Sequence, residues 1–113
     1  MAGEAGTIAI AVDGERWVGM AAGRWFERDR GIAQLWGLWV DPAARGTRTG
    51  AALVVAVREW AAAGGATFLR LGMTEPADAL RRFYARLGFV GLDDPVPMPS
   101  DPTRQMAFMV RPV

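Results

Sequence analysis

The chain has 113 residues, of which 51% are hydrophobic and 22% charged, and 13 basic residues, all of them arginine, face 12 carboxylates for a formal charge of +1. That is one domain's worth of chain, long enough to bury a core of its own, so residues 1–113 are expected to form a single domain. Cysteine and histidine are both absent, which excludes disulfides, thiolate metal sites, a thiol nucleophile and any triad built on imidazole, while the balanced charge gives no case for a nucleic-acid partner.

In chain order, Thr7–Val12 is a β-branched run followed by Asp13-Gly14, a strong hairpin signal. Trp17–Phe26 alternates loosely and ends in the charged loop Glu27–Gly31. Ile32–Val40 is a third apolar run, and Pro42 ends it by removing a ladder donor and forcing its predecessor to be extended. Gly37 inside that run suggests a bulge or a close approach. The period then changes, with Leu53, Val57 and Trp60 at helical spacing until Gly64-Gly65.

Thr67–Leu71 reads as a fourth strand. Thr74 and Pro76 mark the start of a second helix, with Asp78 in its first turn. Leu80, Phe83, Tyr84 and Leu87 share one face of that helix, and Gly88 ends it. Phe89–Leu92 reads as a strand, Pro95–Pro99 as a loop and Met106–Val110 as the last strand. A strand–helix–strand unit flanked by hairpin strands implies an α/β fold, a mixed sheet with helices packed on it. Trp36 and Trp39, with the stripe Leu53/Val57/Trp60, are expected in the core. Glu27, Asp29 and Asp41 are expected to be solvated loop charges.

The segment Arg45-Gly46-Thr47-Arg48-Thr49-Gly50 opens the first helix. A glycine-bearing turn there aims backbone N–H groups at one spot, the helix dipole adds positive potential, and two guanidiniums add bidentate donors. That suits a pyrophosphate, though an ordinary polar connection fits the same residues. Tyr84 is the chain's single tyrosine. It reads either as a packed core residue or as a proton donor at a cleft.

Together, Val40-Asp41-Pro42, then Arg45-Gly46-x-x-x-Gly50, then Phe83-Tyr84-Ala85-Arg86-Leu87-Gly88-Phe89 after a second strand and helix resemble the GNAT superfamily of N-acetyltransferases. Pro97–Pro102 ahead of a Met- and Val-rich strand is similar to that family's terminus. The resemblance implies a mixed, mainly antiparallel GNAT-like sheet. It further implies transfer of the acetyl group of acetyl-CoA to a primary amine by direct attack in a ternary complex, with no metal. Backbone groups of Leu38, Trp39 and Val40 would meet the pantetheine arm, Arg45, Gly46, Thr47, Arg48, Thr49 and Gly50 would hold the pyrophosphate, and Tyr84 would protonate the departing thiolate. A backbone amide of the third strand would stabilise the developing oxyanion.

Four departures accompany the likeness. Arg48 stands where the family usually has glycine, Ala77 where asparagine is common, and Gly72 where some relatives carry a glutamate base, which leaves a water chain or a loop carboxylate such as Glu75 for that task, or an amine that arrives neutral. The strand and two helices that usually precede Thr7 have no counterpart. A homodimer, or a partner supplying the missing cover, is therefore expected, in the cytoplasm and without a membrane partner. The alternative function is a degenerate module of the same fold that binds acyl-CoA or a protein without catalysis.

Overall fold

In the computed structural model, which describes residues 5–113 and for Asp93 the backbone alone, Gly14 at φ 63° turns the chain between β1 (Gly6–Asp13) and β2 (Arg16–Glu27). A 3-10 turn, Arg28–Arg30, leads through Gly31 into β3 (Ile32–Val40). A second 3-10 turn, Pro42–Ala44, precedes α1 (Thr49–Ala63), and β4 (Phe68–Thr74), α2 (Asp78–Arg86), β5 (Val90–Met98) and β6 (Asp101–Pro112) complete the order. The sheet has six strands in the order β1-β2-β3-β4-β6-β5. Only β3 and β4 run parallel, as the crossover through α1 requires. The mixed, mainly antiparallel α/β arrangement is the one expected.

Helix α1 lies on the faces of β1, β2 and β3. Its buried residues Leu53, Val54, Val57 and Ala61 meet Ala21, Leu35 and Leu71 of the sheet, and Tyr84 of α2 joins the same core. Burying side chains such as Leu69, Leu71 and Val57 contributes about 1.5–3 kcal/mol each. The approach is close because β2 offers glycine: a Cβ at Gly23 would stand 2.7 Å from Val57 Cγ1 and 3.0 Å from the Trp60 ring.

The opposite face of the sheet carries no helix among the described residues. Trp36 and Trp39, expected in the core, lie there, 47% and 45% exposed. Trp36 pairs with Ala22 and Trp39 with Met20, so Ala21 stands opposite both Gly37 and Leu38. This is the bulge that Gly37 suggested, with Gly37 at φ 65°. Its extra residue keeps both tryptophans on one face although they are three apart. An unbroken apolar run reads as a strand covered on both sides, and here one side is open.

Four further expectations are corrected. Pro95–Pro99 is not a loop: β5 continues to Met98, with Val96 opposite Met106 and Pro97 opposite Gln105 after a register shift. Prolines are tolerated because β5 is an edge strand, where a missing N–H on the outer side breaks no ladder. Correspondingly, β6 begins at Asp101 rather than Met106. Leu80 does not share the buried face of α2 but is exposed, and β4 runs on to Thr74, so that helix begins only at Asp78.

Candidate active site

The β3–β4 ladder runs from Ile32↔Phe68 to Leu35↔Leu71 and stops. Beyond it β3 continues to Val40, held by β2 alone, and β4 to Thr74, held by β6 alone. The sheet therefore opens as a V whose walls are main chain, and Leu38, Trp39 and Val40 line the β3 wall. The Val40 carbonyl is already engaged, accepting from Arg45 Nε at 3.1 Å.

Where β3 ends, Asp41 organises the turn into α1. Its Oδ1 accepts from the Ala43 amide at 2.9 Å and its Oδ2 pairs with Arg16 at 3.0 Å. The Ala43 amide, and then the Arg16 guanidinium, hold its carboxyl below the usual range against some desolvation. Asp41 is thus a structural cap rather than the idle loop charge expected. Thr47 Oγ1 donates to Ala44 O at 2.5 Å and accepts from the Thr49 amide at 3.3 Å, with the Thr49 hydroxyl 2.9 Å away.

The loop ends at Arg48, which occupies the N-cap of α1 without a capping side-chain bond. The amides of Gly46, Arg48, Gly50 and Ala51 meet no protein acceptor among the described residues. Open amides at a helix start, reinforced by the dipole, suit an anion. Gly46, at φ 80° with nothing near its missing Cβ, leaves the approach clear, and the Arg45 and Arg48 side chains are exposed beside it.

Gly50 has a second task that the sequence does not reveal. A Cβ there would stand 3.2 Å from Phe83 Cζ and 3.6 Å from Val40 Cγ2, so α1, α2 and the end of β3 meet at this glycine. Phe83 carries Tyr84 with it. The Tyr84 ring is 6% exposed and stands edge-on between Phe83, at 5.1 Å, and Phe89, at 5.6 Å. Burial pushes its pKa up to about 12, so the phenol keeps its proton at neutral pH.

Two of the departures, Gly72 and Ala77, have local explanations. A Cβ at Gly72 would come within 3.1 Å of Phe108 and 3.2 Å of Met106, which fill the space a larger side chain would need. Ala77 is buried at the N-cap of α2, its amide donating to Glu75 Oε2 at 3.1 Å. The other oxygen of Glu75 pairs with Arg81, so both are engaged in fixing the start of α2. Glu75 also lines an open groove of about 610 Å³ with Pro76, Pro95 and residues 103–105.

The described residues thus bring together a strand wall open to main-chain contacts, a helix start with unpartnered amides and, through the Phe83–Gly50 contact, the helix that carries a protonated phenol. A model of the acetyltransferase (GNAT) family matches residues 2–89. The chain belongs to the GNAT acetyltransferase family. No curated protein matches the sequence.

Among solved structures, nourseothricin acetyltransferase aligns over 95% of this chain and 65% of its own, with 22% identity and a TM-score of 0.85. An aminoglycoside 6'-N-acetyltransferase complexed with coenzyme A aligns over 95% and 72%, with 17% identity and a TM-score of 0.79. The ribosomal-protein-S18-alanine N-acetyltransferase of Escherichia coli aligns over 97% and 70%, with 18% identity and a TM-score of 0.77. Identities this low establish the shared fold, and the chain spans only two-thirds to three-quarters of each relative's length. No helix among the described residues is long and apolar enough to cross a membrane.

Proposed function

We propose that the chain is an acetyl-CoA-dependent N-acetyltransferase acting on a primary amine. The observation that carries this reading is the V between β3 and β4 with the open amides of α1 at its mouth. The pantetheine arm would lie along Leu38–Val40, and Arg45 through Gly50 would take the pyrophosphate. The amine nitrogen attacks the thioester carbon, the C–S bond breaks, and Tyr84 donates its proton to the leaving sulfur. An amide of β3 stabilises the oxyanion in between. With both oxygens of Glu75 engaged, the amine arrives neutral, and the proton its nitrogen loses after attack passes through water to restore the Tyr84 phenol. The site residues fit acetyl-CoA: amides without acceptors, two exposed guanidiniums and a glycine that leaves room.

That same engagement of Glu75 and the filled space at Gly72 favour, as a second reading, a module that binds acyl-CoA without turnover. Calorimetric titration with acetyl-CoA, followed by thiol release in the presence of an amine panel, separates the two. Micromolar binding with release of one thiol per acetylated amine supports the enzyme. Binding without release leaves the module, and no binding by a folded sample sinks both.

A further inference from the structure

The free face of the sheet holds two guanidiniums that no carboxylate pairs among the described residues. Arg24 on β2 and Arg70 on β4 share one row, since both are register partners of Gln34 on β3. The ion pairs found are Arg16–Asp41, Arg30–Glu27 and Arg81–Glu75, and neither residue takes part. Each instead lies over aromatic rings. Arg24 Cζ stands 5.4 Å from the Trp36 centroid, and Arg70 Cζ stands 3.9 Å from Phe26 and 4.5 Å from Phe108.

A guanidinium lying over ring faces keeps its in-plane N–H edge for a planar anion. Arg70 Nε is buried without a hydrogen-bond partner among the described residues, while the outer N–H groups of the same guanidinium are left for an anion. Desolvation of the cation also lowers the Arg70 pKa, against which the charge of nearby Glu27 works.

Position gives this pair its meaning. Gln34 and Arg70 lie one step before the last ladder pair, Leu35↔Leu71, and Gly72 lies one step past it on the face that carries Arg70. Strand rise puts Arg70 about 7 Å from Gly72 along β4. The cations therefore stand just below the apex of the V, on the side away from α1.

We infer that Arg24 and Arg70 form a carboxylate-binding site for the acyl acceptor, selecting primary amines that carry a carboxylate about 7 Å from the nitrogen. The inference rests on the acetyltransferase reading and names the acceptor class for it. Trp36 and Phe108, on the V side of that row, form the apolar floor along which the methylene chain between the two groups lies. A simple amine leaves two cations facing rings alone, and a carboxylate satisfies them.

The test uses the whole chain and matched probes, 4-aminobutanoate and 6-aminohexanoate against their carboxamides. Binding is measured by calorimetry and turnover by thiol release. The acids are expected to bind roughly ten- to hundred-fold tighter than the amides. Arg70→Met, whose chain still fits between the two rings, should abolish that preference and raise the melting temperature, while leaving acetyl-CoA affinity unchanged.

Equal binding of acid and amide by the native chain overturns the proposal, and so does a preference that survives both Arg70→Met and Arg24→Met. Should Arg70→Met fail to fold, Arg70→Lys decides, since it keeps charge but loses the planar fork. A preference cut several-fold supports the site and an unchanged one removes it. Acid–amide discrimination is read by binding and the acetyltransferase reading by acetyl-CoA titration, so equal binding of acid and amide removes the acceptor site alone, whereas loss of acetyl-CoA binding removes the reading on which it rests.

Discussion

The ring of Phe83 occupies the place that a side chain at Gly50 would take, 3.2 Å from an ideal Cβ there. One contact thus joins the start of α1, where the unpartnered amides gather, to the helix that carries Tyr84. Gly50→Leu is expected to cost about 2 kcal/mol through overpacking. It should also weaken acetyl-CoA binding, because Phe83 and the helix start must part. Gly46→Ala, which meets no atom within 4 Å, should cost only the backbone strain of its φ of 80°, about 1 kcal/mol. Denaturant melts and acetyl-CoA titrations of the two variants check the contrast.

The single tyrosine makes its titration readable by phenolate absorbance, and the midpoint is expected near pH 12 instead of 10. The unfolded chain gives up that proton first. Tyr84 burial therefore stabilises the fold fully below pH 10 and progressively less as pH rises from 10 towards 12, by on the order of 2 kcal/mol at the upper end. Tyr84→Phe should lack that slope. It should keep acetyl-CoA affinity and lower kcat by roughly a hundred-fold or more, as loss of a general acid does. An unaltered kcat would remove Tyr84 from the chemistry.

Arg45 and Arg48 are expected to act differently on the same ligand. Arg48 makes no side-chain hydrogen bond or ion pair among the described residues, so Arg48→Ala should weaken acetyl-CoA binding about ten-fold and flatten its dependence on salt. Arg45 bonds the Val40 carbonyl, so Arg45→Ala should additionally loosen the turn. Hydrogen exchange at residues 42–48 would show faster exchange in Arg45→Ala alone. Equal exchange in the two variants would contradict the distinction.

At Asp41 the test is a pair of substitutions. Asn keeps an acceptor for the Ala43 amide, whereas Ala removes both that bond and the Arg16 pair. Acetyl-CoA affinity should fall little in Asp41→Asn and further in Asp41→Ala. Since the folded carboxyl titrates below its usual range, its contribution is present above the ordinary carboxylate pKa and disappears as pH falls through the folded value. Acid melts of native and Asp41→Ala proteins should converge at low pH.

Much of the fold is legible in the sequence because its signals are local. The spacing of Leu53, Val57 and Trp60 marks α1, Asp13-Gly14 marks the first turn, and Gly37 marks the bulge. The glycine-bearing loop ahead of α1 is legible for the same reason, its residues being contiguous. Trp36 and Trp39 mislead because a continuous apolar run does not say whether one face of the strand or two are covered. Pro95 and Pro97 mislead because proline forbids a central strand but not an edge. The Gly50–Phe83 contact and the Arg24–Arg70 row arise from elements far apart in the chain, and no local pattern announces either.

The four-residue parallel ladder between β3 and β4 has a mechanical side. Among the described residues it is the only ladder joining the meander β1-β2-β3 to the group β4-β6-β5, so the sheet is two three-stranded ribbons riveted along a short seam. Val113 lies on one ribbon and Gly6 on the other. Tension applied between these two ends would have to pass through that rivet and the α1 crossover. The seam would part before either ribbon unravelled, opening the V from its apex while each hairpin stayed whole.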